Sequence, residues 1–286
     1  MIYVGLTGWR DHPSLYNMAT AKNRKLETYA GYFPTVEIDS AYYAVLSPET
    51  YRKWIDETPD IFRFVVKAHR SMTGQSETYY PFSDRDELFH SYRRSIQPLV
   101  DAGKLGMVLC QFPPWFDCRA EHIKKVRYVK KMLHDVPLAI EFRHQSWYFP
   151  KNRNRVIQFL NEQDCIHTVC DEPQAGDGSV PIVNVATSTK KALIRLHGRN
   201  IEGWRKETSG ENWRAVRYLY NYGENELMEW VRYATALQQE AEDVFIIFNN
   251  NSGRHAAGNA QTFMRLADIS YDGLAPRQLN LFDWEG

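Results

Sequence analysis

The sequence predicts an α/β protein folded as a single (β/α)8 barrel of the TIM type. Short apolar segments alternate with amphipathic helical ones about eight times along 286 residues, the layout of a closed parallel barrel inside a ring of helices. No Pro-, Gly- or Ser-rich linker divides the chain, so residues 1–269 read as one barrel domain and 270–286 as a C-terminal tail. Charged residues also recur on one face of many strands, close to their C-terminal ends. A doubly wound open sheet would instead need nearly continuous apolar strands.

The elements follow in order. Ile2–Trp9 reads as the first strand and ends in Thr7-Gly8-Trp9, with no dinucleotide-binding glycine fingerprint after it. A helical stretch runs from about Thr20 to Tyr32, and Val36–Tyr43 is the second strand. Ser47-Pro48 places an N-cap before proline at the first helical position, starting a helix to about Glu57. Ile61–His69 is the third strand, and Ser83 is expected to cap a helix reaching Ala102. Leu105–Phe112, stopped by Pro113-Pro114, is the fourth strand, and a cation-rich helix spans Arg119–His134. The fifth strand opens the stretch Leu138–Trp147, L-A-I-E-F-R-H-Q-S-W. A helix over Asn152–Glu162 leads to a sixth strand at Cys165–Asp171 and a loop over Gln174–Ser188. Lys191–Gly198 is the seventh strand. The helix Glu224–Glu240 carries Leu227, Trp230, Val231, Ala234 and Leu237 at helical spacing. Val244–Asn250 is the eighth strand, and Gly258–Ala267 the last helix.

Composition narrows the function. Lys plus Arg and Asp plus Glu both number 35, so no global field draws the protein to nucleic acid or to an anionic membrane. Any such binding must come from a local patch. No apolar run has the length of a membrane span, and the N-terminus lacks the layout of a signal peptide. Cys110, Cys118, Cys165 and Cys170 form no C-x-x-C pair and read as buried thiols, which places the chain in a reducing cytoplasm.

Strand alternation then assembles a candidate site. Successive side chains point to opposite faces, and the face chosen for the lumen carries Glu37, Asp39, Lys67, Gln111, Glu141, Arg143, Asp171, Arg195, His197 and Asn249. A charge inside a barrel is expensive unless it is paired or meets a ligand. Glu37, Glu141 and His197 are the candidates for moving protons. Asp39, Lys67, Gln111, Arg143, His144, Trp147, Asp171, Arg195, Asn249 and Asn250 are the candidates for binding, with Lys67, Arg143 and Arg195 supplying positive charge for a phosphate. No residue is assigned as a metal ligand, because H-E-x-x-H is absent and the interleaved cations repel a dication. No cofactor is required, although carboxylates beside a histidine leave a divalent metal open. The expected function is binding, and hydrolysis, of a phosphate-bearing ligand or nucleic acid. A satisfied ion-pair layer capping the core is the alternative. A sugar-processing or sugar-phosphate barrel, with Glu37 and Glu141 as a glycosidase-like pair, is another.

Seven motifs carry a family resemblance. They are T-G-W at 7–9, V-E-I-D-S-A-Y-Y at 36–43, F-V-V-K-A at 64–68, L-C-Q-F-P-P at 109–114, E-F-R-H-Q-S-W at 141–147, R-L-H-G-R at 195–199 and F-N-N at 248–250. Together they resemble the bacterial and archaeal proteins grouped as domain of unknown function 72. That resemblance implies a TIM-type barrel with the same lumenal set, and it implies no particular activity. Asp39 departs from the asparagine of the family pattern, which removes any role needing a neutral amide there.

Two surface features remain. Gln278, Leu279, Leu281 and Phe282, in Q-L-N-L-F, are similar to the peptide by which bacterial replication and repair proteins dock on the DNA sliding clamp. This implies a non-catalytic alternative, a nucleic-acid or protein-binding module recruited by its tail. The other is Arg199–Tyr222, which interleaves Arg199, Arg205, Lys206, Arg214 and Arg217 with Trp204, Trp213, Tyr218 and Tyr220, continued by the basic run at 151–155. Cations beside stacking rings suit a single-stranded nucleic acid. The plainer reading is a loop over the barrel mouth, its arginines paired with Glu202, Glu207 and Glu211.

Overall fold

Eight parallel strands pair in chain order and close when β1 meets β8. The structure is a computed structural model and describes residues 1–16, 24–205 and 216–277. The strands are β1 (Ile2–Thr7), β2 (Thr35–Ile38), β3 (Arg63–Lys67), β4 (Leu105–Gln111), β5 (Leu138–Glu141), β6 (Ile166–Asp171), β7 (Lys191–Leu196) and β8 (Asp243–Phe248). Helices α1 (Lys25–Tyr29), α2 (Ser40–Tyr43), α3 (Pro48–Asp56), α4 (Arg85–Asp101), α5 (Ala120–Met132), α6 (Pro150–Glu162), α7 (Ile201–Trp204), α8 (Glu224–Gln238) and α9 (Ala256–Leu266) connect them. No helix among the described residues is long and apolar enough to cross a membrane.

The register explains the interior. Gly5 pairs with Thr35 and with Ile247, Val65 with Met107, and Leu193 with Phe245. These pairings bring Tyr3, Val65, Met107, Leu109, Ala139, Ile166, Leu193, Phe245 and Ile247 into one apolar cluster inside the barrel. Tyr3 and Phe245 stack there at 4.7 Å. Gly5 makes room: a Cβ at this position would lie 2.1 Å from the Thr35 carbonyl oxygen. The lumen is therefore a packed core at its N-terminal end, and only the C-terminal end is polar. Outside the strands, α8 buries Leu227, Trp230, Ala234 and Leu237, as their spacing predicts.

Several boundaries differ from expectation. The second strand stops at Ile38, and Asp39 starts the short helix α2, which swings Tyr42 and Tyr43 over the mouth. Asp84, not Ser83, caps α4, its side chain accepting from Glu87 N at 2.8 Å. Ser83 instead donates through N and Oγ to the Glu87 carboxylate. Capping depends on which residue leaves the helical path, and adjacent Ser and Asp are equally suited by composition. The residues after 269 begin on the barrel: the Tyr271 hydroxyl donates to Ile2 O and accepts from Val4 N, both at 3.0 Å. The clamp-like peptide, part of the helix expected from Thr20, and Lys206, Trp213 and Arg214 lie outside the described residues.

Candidate functional site

Arg195 sits on the lumenal face of β7 and organises a buried floor across the barrel. Its Nε and Nη2 donate to the two oxygens of Glu37, on β2, at 2.8 and 2.6 Å. Its Nη1 donates to Oε2 of Glu141, on β5, at 2.5 Å. The other Glu141 oxygen accepts from Gln111 Nε2 at 2.6 Å, and His197 Nε2 lies 3.5 Å from it. On the far side of the ring, His197 Nδ1 is 2.9 Å from the Asn249 amide. Glu37, Glu141, Arg195 and His197 all have 0% exposure.

Charge and burial set the protonation of this floor. Burial pushes the Glu141 carboxyl up, but Arg195, His197 and Arg143 outweigh it and hold the group well below the ordinary range. For Glu37 burial wins over Arg195, and its carboxyl is raised. His197 is pushed down to about 3, first by burial and then by Arg195, so the imidazole is neutral. A neutral ring that receives a hydrogen bond from the Asn249 amide at Nδ1 carries its proton on Nε2, facing Glu141.

Above the floor the mouth becomes basic. Lys67, at the end of β3, pairs with Asp39 at 3.1 Å and lies 5.0 Å from the centre of the Tyr42 ring. Arg143, following β5, is 4% exposed. Its Nη1 is 3.9 Å from Glu141 and its Nε 3.3 Å from Glu172 Oε2. The Nε contact is off the line of a hydrogen bond, so Arg143 Nε, Arg143 Nη2 and Glu172 Oε2 are buried without a hydrogen-bond partner. Burial, reinforced by Glu141, pushes the Glu172 carboxyl up to about 7 although Arg143 opposes it. Arg143 and Arg217 stack on Trp204 at 4.9 and 4.0 Å, so the segment after β7 folds down onto the same edge. Arg143, Lys67, Arg70 and Arg217 line one cleft of about 600 Å³ with Asp39, Gln75 and Gln111, walled by Tyr42, Tyr43, Tyr218 and residues 112–115. That volume is typical of small-molecule sites.

The structure brings together most of the expected set and separates four members from it. Glu37, Gln111, Glu141, Arg195, His197 and Asn249 form the floor. Asp39, Lys67 and Arg143, together with Gln111, line the cleft, and Asp39 uses its charge on Lys67. Asp171 is on the opposite face of β6: it accepts from Arg199 Nε at 2.9 Å and from Trp230 Nε1, in the helical layer, at 3.1 Å. A one-residue change of phase flips every side chain of a strand. In Cys165–Asp171 each phase carries one polar residue before its end, His167 in one and Thr168 in the other, so alternation alone does not decide between them. The lumenal phase is Ile166, Thr168, Cys170 and Glu172, which the register with Leu193 and Arg195 establishes.

Trp147 is fully buried outside the barrel wall, stacked 3.8 Å from Phe142 and donating to Phe116 O. His144 accepts from Ser146 N and caps the turn over residues 145–148. Asn250 is fully buried and donates to Tyr220 O and Asn259 Oδ1. These three hold loops in place. Sequence reasoning missed Glu172, Cys170, Arg70, Tyr42, Tyr43, Trp115 and the placement of Arg217 and Tyr218. The adjacent acids Asp171-Glu172 were the available signal for the first, since one of any neighbouring pair must face the lumen. Cys170 lies within β6 on the phase that alternation left open, Tyr42 and Tyr43 lie in the short helix α2, and the others follow strand ends, where the period of two has lapsed.

Glu141, Cys170 and His197 place one donor atom each within 4.8 Å of one another. Arg195 Nη1 lies 2.5 Å from Glu141 and 3.4 Å from His197 Nε2. The donors thus already face a guanidinium, and burial holds the Cys170 thiol well above its ordinary range, protonated. These residues do not fit a divalent metal.

The family model described as protein of unknown function DUF72 matches residues 3–280. The chain belongs to the DUF72 family. It is similar to the UPF0759 protein YunF of Bacillus subtilis, 48% identical over 282 residues that cover 99% of this chain and 100% of that protein. The UPF0759 protein YecE of Escherichia coli K12 is 28% identical over 148 residues, 52% of this chain and 50% of that one. Among solved structures, a DUF72 family protein of Enterococcus faecalis V583 superposes with a TM-score of 0.91 at 35% identity, covering 98% of this chain and 100% of that one. Another, from Thermotoga maritima, gives 0.77 at 27% identity, covering 94% and 100%. These DUF72 relatives share the barrel that the seven motifs imply.

Proposed function

We propose that this DUF72 barrel binds a phosphate-bearing organic anion at its mouth, with Arg143 as the anchor. The observation that carries the reading is the pair of buried Arg143 nitrogens, in the cleft wall, that make no hydrogen bond. A buried donor left unmade costs about 1–3 kcal/mol, and a phosphate offers the planar pair of acceptors that a guanidinium fork matches. Lys67 and Arg70 add charge, and among the described residues lining the cleft Asp39 is the one carboxylate. Glu37, Glu141 and His197, sealed beneath, position Arg195 and Gln111 rather than meet the ligand. A hydrolytic step would draw on Glu172, whose proton leaves near neutral pH and whose free oxygen faces Arg143.

Calorimetric titration with nucleoside mono- and diphosphates tests the binding. Arg143→Ala is expected to weaken it roughly 10- to 100-fold, the value of one charge-assisted hydrogen-bonded pair, and Arg143→Lys to restore only part. Affinity unchanged in Arg143→Ala, or no binding by the unaltered chain, would overturn the reading. Turnover that vanishes in Glu172→Gln while binding persists would establish the hydrolytic step.

A second proposal rests on the tail sequence. Gln278, Leu279, Leu281 and Phe282 are proposed to dock on the DNA sliding clamp, with Leu281 and Phe282 in an apolar pocket and Gln278 hydrogen-bonding at its edge. Replacing Leu281 and Phe282 together by Ala removes both anchors and is expected to cost at least 100-fold in affinity. Clamp binding that survives this double change ends the idea.

A further inference from the structure

The cleft is more than a sink for charge, because its lips carry large aromatic rings turned to solvent. Tyr43 is 67% exposed and Trp115 62% exposed, and both line the cleft. Tyr43 follows β2 and Trp115 follows β4, so the two rings flank the C-terminal end of β3, which carries Lys67. Stacking surfaces thus lie on either side of a row of cations. Apart from Met1, the large apolar side chains exposed among the described residues (Tyr43, Tyr80, Trp115, Phe149, Ile201 and Leu219) all lie in connections that follow the strands' C-terminal ends. One face of the barrel therefore keeps its apolar surface uncovered, and concentrated exposure of that kind marks an interaction site. Phe149 on this face is followed by exposed Lys151 and Arg153.

We infer that the phosphate-bearing ligand is single-stranded nucleic acid, its bases stacked on Trp115 and Tyr43 and its backbone held by Lys67, Arg70 and Arg143. The inference rests on the anion-binding reading above and adds the base and the polymer to it. Rings beside cations are the device for binding a strand without reading its sequence. Carboxylates of an acidic peptide would satisfy the cations but leave the rings without a flat partner. A duplex, whose bases are already stacked on each other, offers Trp115 and Tyr43 nothing. Charge complementarity is local: the chain carries 35 cations and 35 anions overall, while the described residues lining the cleft include Lys67, Arg70 and Arg143 with Asp39, Arg143 keeping a hydrogen-bond edge unmade beside Glu172.

Fluorescence anisotropy with the full chain tests this, using a labelled oligothymidylate, an abasic strand with the same number of phosphates, a hairpin duplex, inorganic polyphosphate and a polyglutamate peptide. The oligothymidylate is expected to bind best, with the abasic strand, the duplex and polyphosphate at least tenfold weaker. Trp115→Ala and Tyr43→Ala are each expected to cost roughly 5- to 100-fold toward the oligothymidylate and to leave polyphosphate binding unchanged. Both side chains face solvent, so the variants should keep the melting temperature of the parent chain. Equal binding of polyphosphate and oligothymidylate, indifferent to Trp115→Ala, would overturn the inference while the anion-binding reading stands. Polyglutamate binding as tightly as the strand would replace nucleic acid by an acidic peptide. Failure of every anion to bind would remove both.

Discussion

Arg195→Met is expected to lower the stability of the folded chain by about 3–5 kcal/mol, the cost of breaking a buried ion pair by removing one partner. The guanidinium makes three of the floor's hydrogen bonds, to Glu37 and Glu141, and all three side chains are fully buried. Methionine fills comparable space but removes the cation the two carboxylates share, leaving Glu141 only the more distant Arg143 at 3.9 Å. Each would then have to take up a proton, so the loss should be largest above pH 7 and shrink in acid. Adding Glu37→Gln and Glu141→Gln to Arg195→Met should recover most of the stability, because neutral amides need no counter-charge. Urea denaturation of the single and triple variants measures this. A loss below about 1 kcal/mol in Arg195→Met would show that the floor is not a mutually dependent network.

Glu172→Gln is expected to change how stability depends on pH. The carboxyl titrates at about 7 in the folded chain, against an ordinary value of 4.5. Between those values the unfolded chain has lost the proton and the folded chain keeps it. Stability therefore falls as pH rises through this window, by about 3 kcal/mol in all. Glutamine carries no such proton, so the variant's advantage over the parent should grow from pH 5 to pH 8 and then level off. His197 and His167, pushed down to about 3 and about 4 mainly by burial, act in the opposite sense. They stay neutral while the unfolded chain's histidines protonate below about 6.5, so stability falls as pH drops through that region. Both histidines titrate in parent and variant alike, and the difference between the two curves isolates Glu172. A difference that does not vary between pH 5 and 8 would place the Glu172 proton elsewhere.

Much of this arrangement is legible in the sequence. The alternation of V-E-I, F-V-V-K, L-C-Q and L-I-R-L-H puts one polar residue after another on a single face, and the structure collects Glu37, Lys67, Gln111, Arg195 and His197 at one end of one lumen. Where a strand's phase was ambiguous the reading failed, as Asp171 shows: its side chain serves Arg199 and Trp230 behind the wall, and Glu172 takes the lumenal place. Trp147 failed for another reason. The pattern E-F-R-H-Q-S-W continues past the end of β5 at Glu141, and once the chain turns, the rule of alternation no longer applies.

Period-two patterning determined by itself which side chains of each β-segment share a face, because alternation is a local property of the extended backbone and needs no partner strand. Which carboxylate each cation meets, which oxygen of Glu172 lacks a donor, and which rings stand open on the cleft were decided by tertiary structure alone. Those facts depend on strand register and on the paths of the connections after the strands. Both arise from closing the barrel, when residues as far apart as 37, 141 and 195 are first brought within hydrogen-bonding distance.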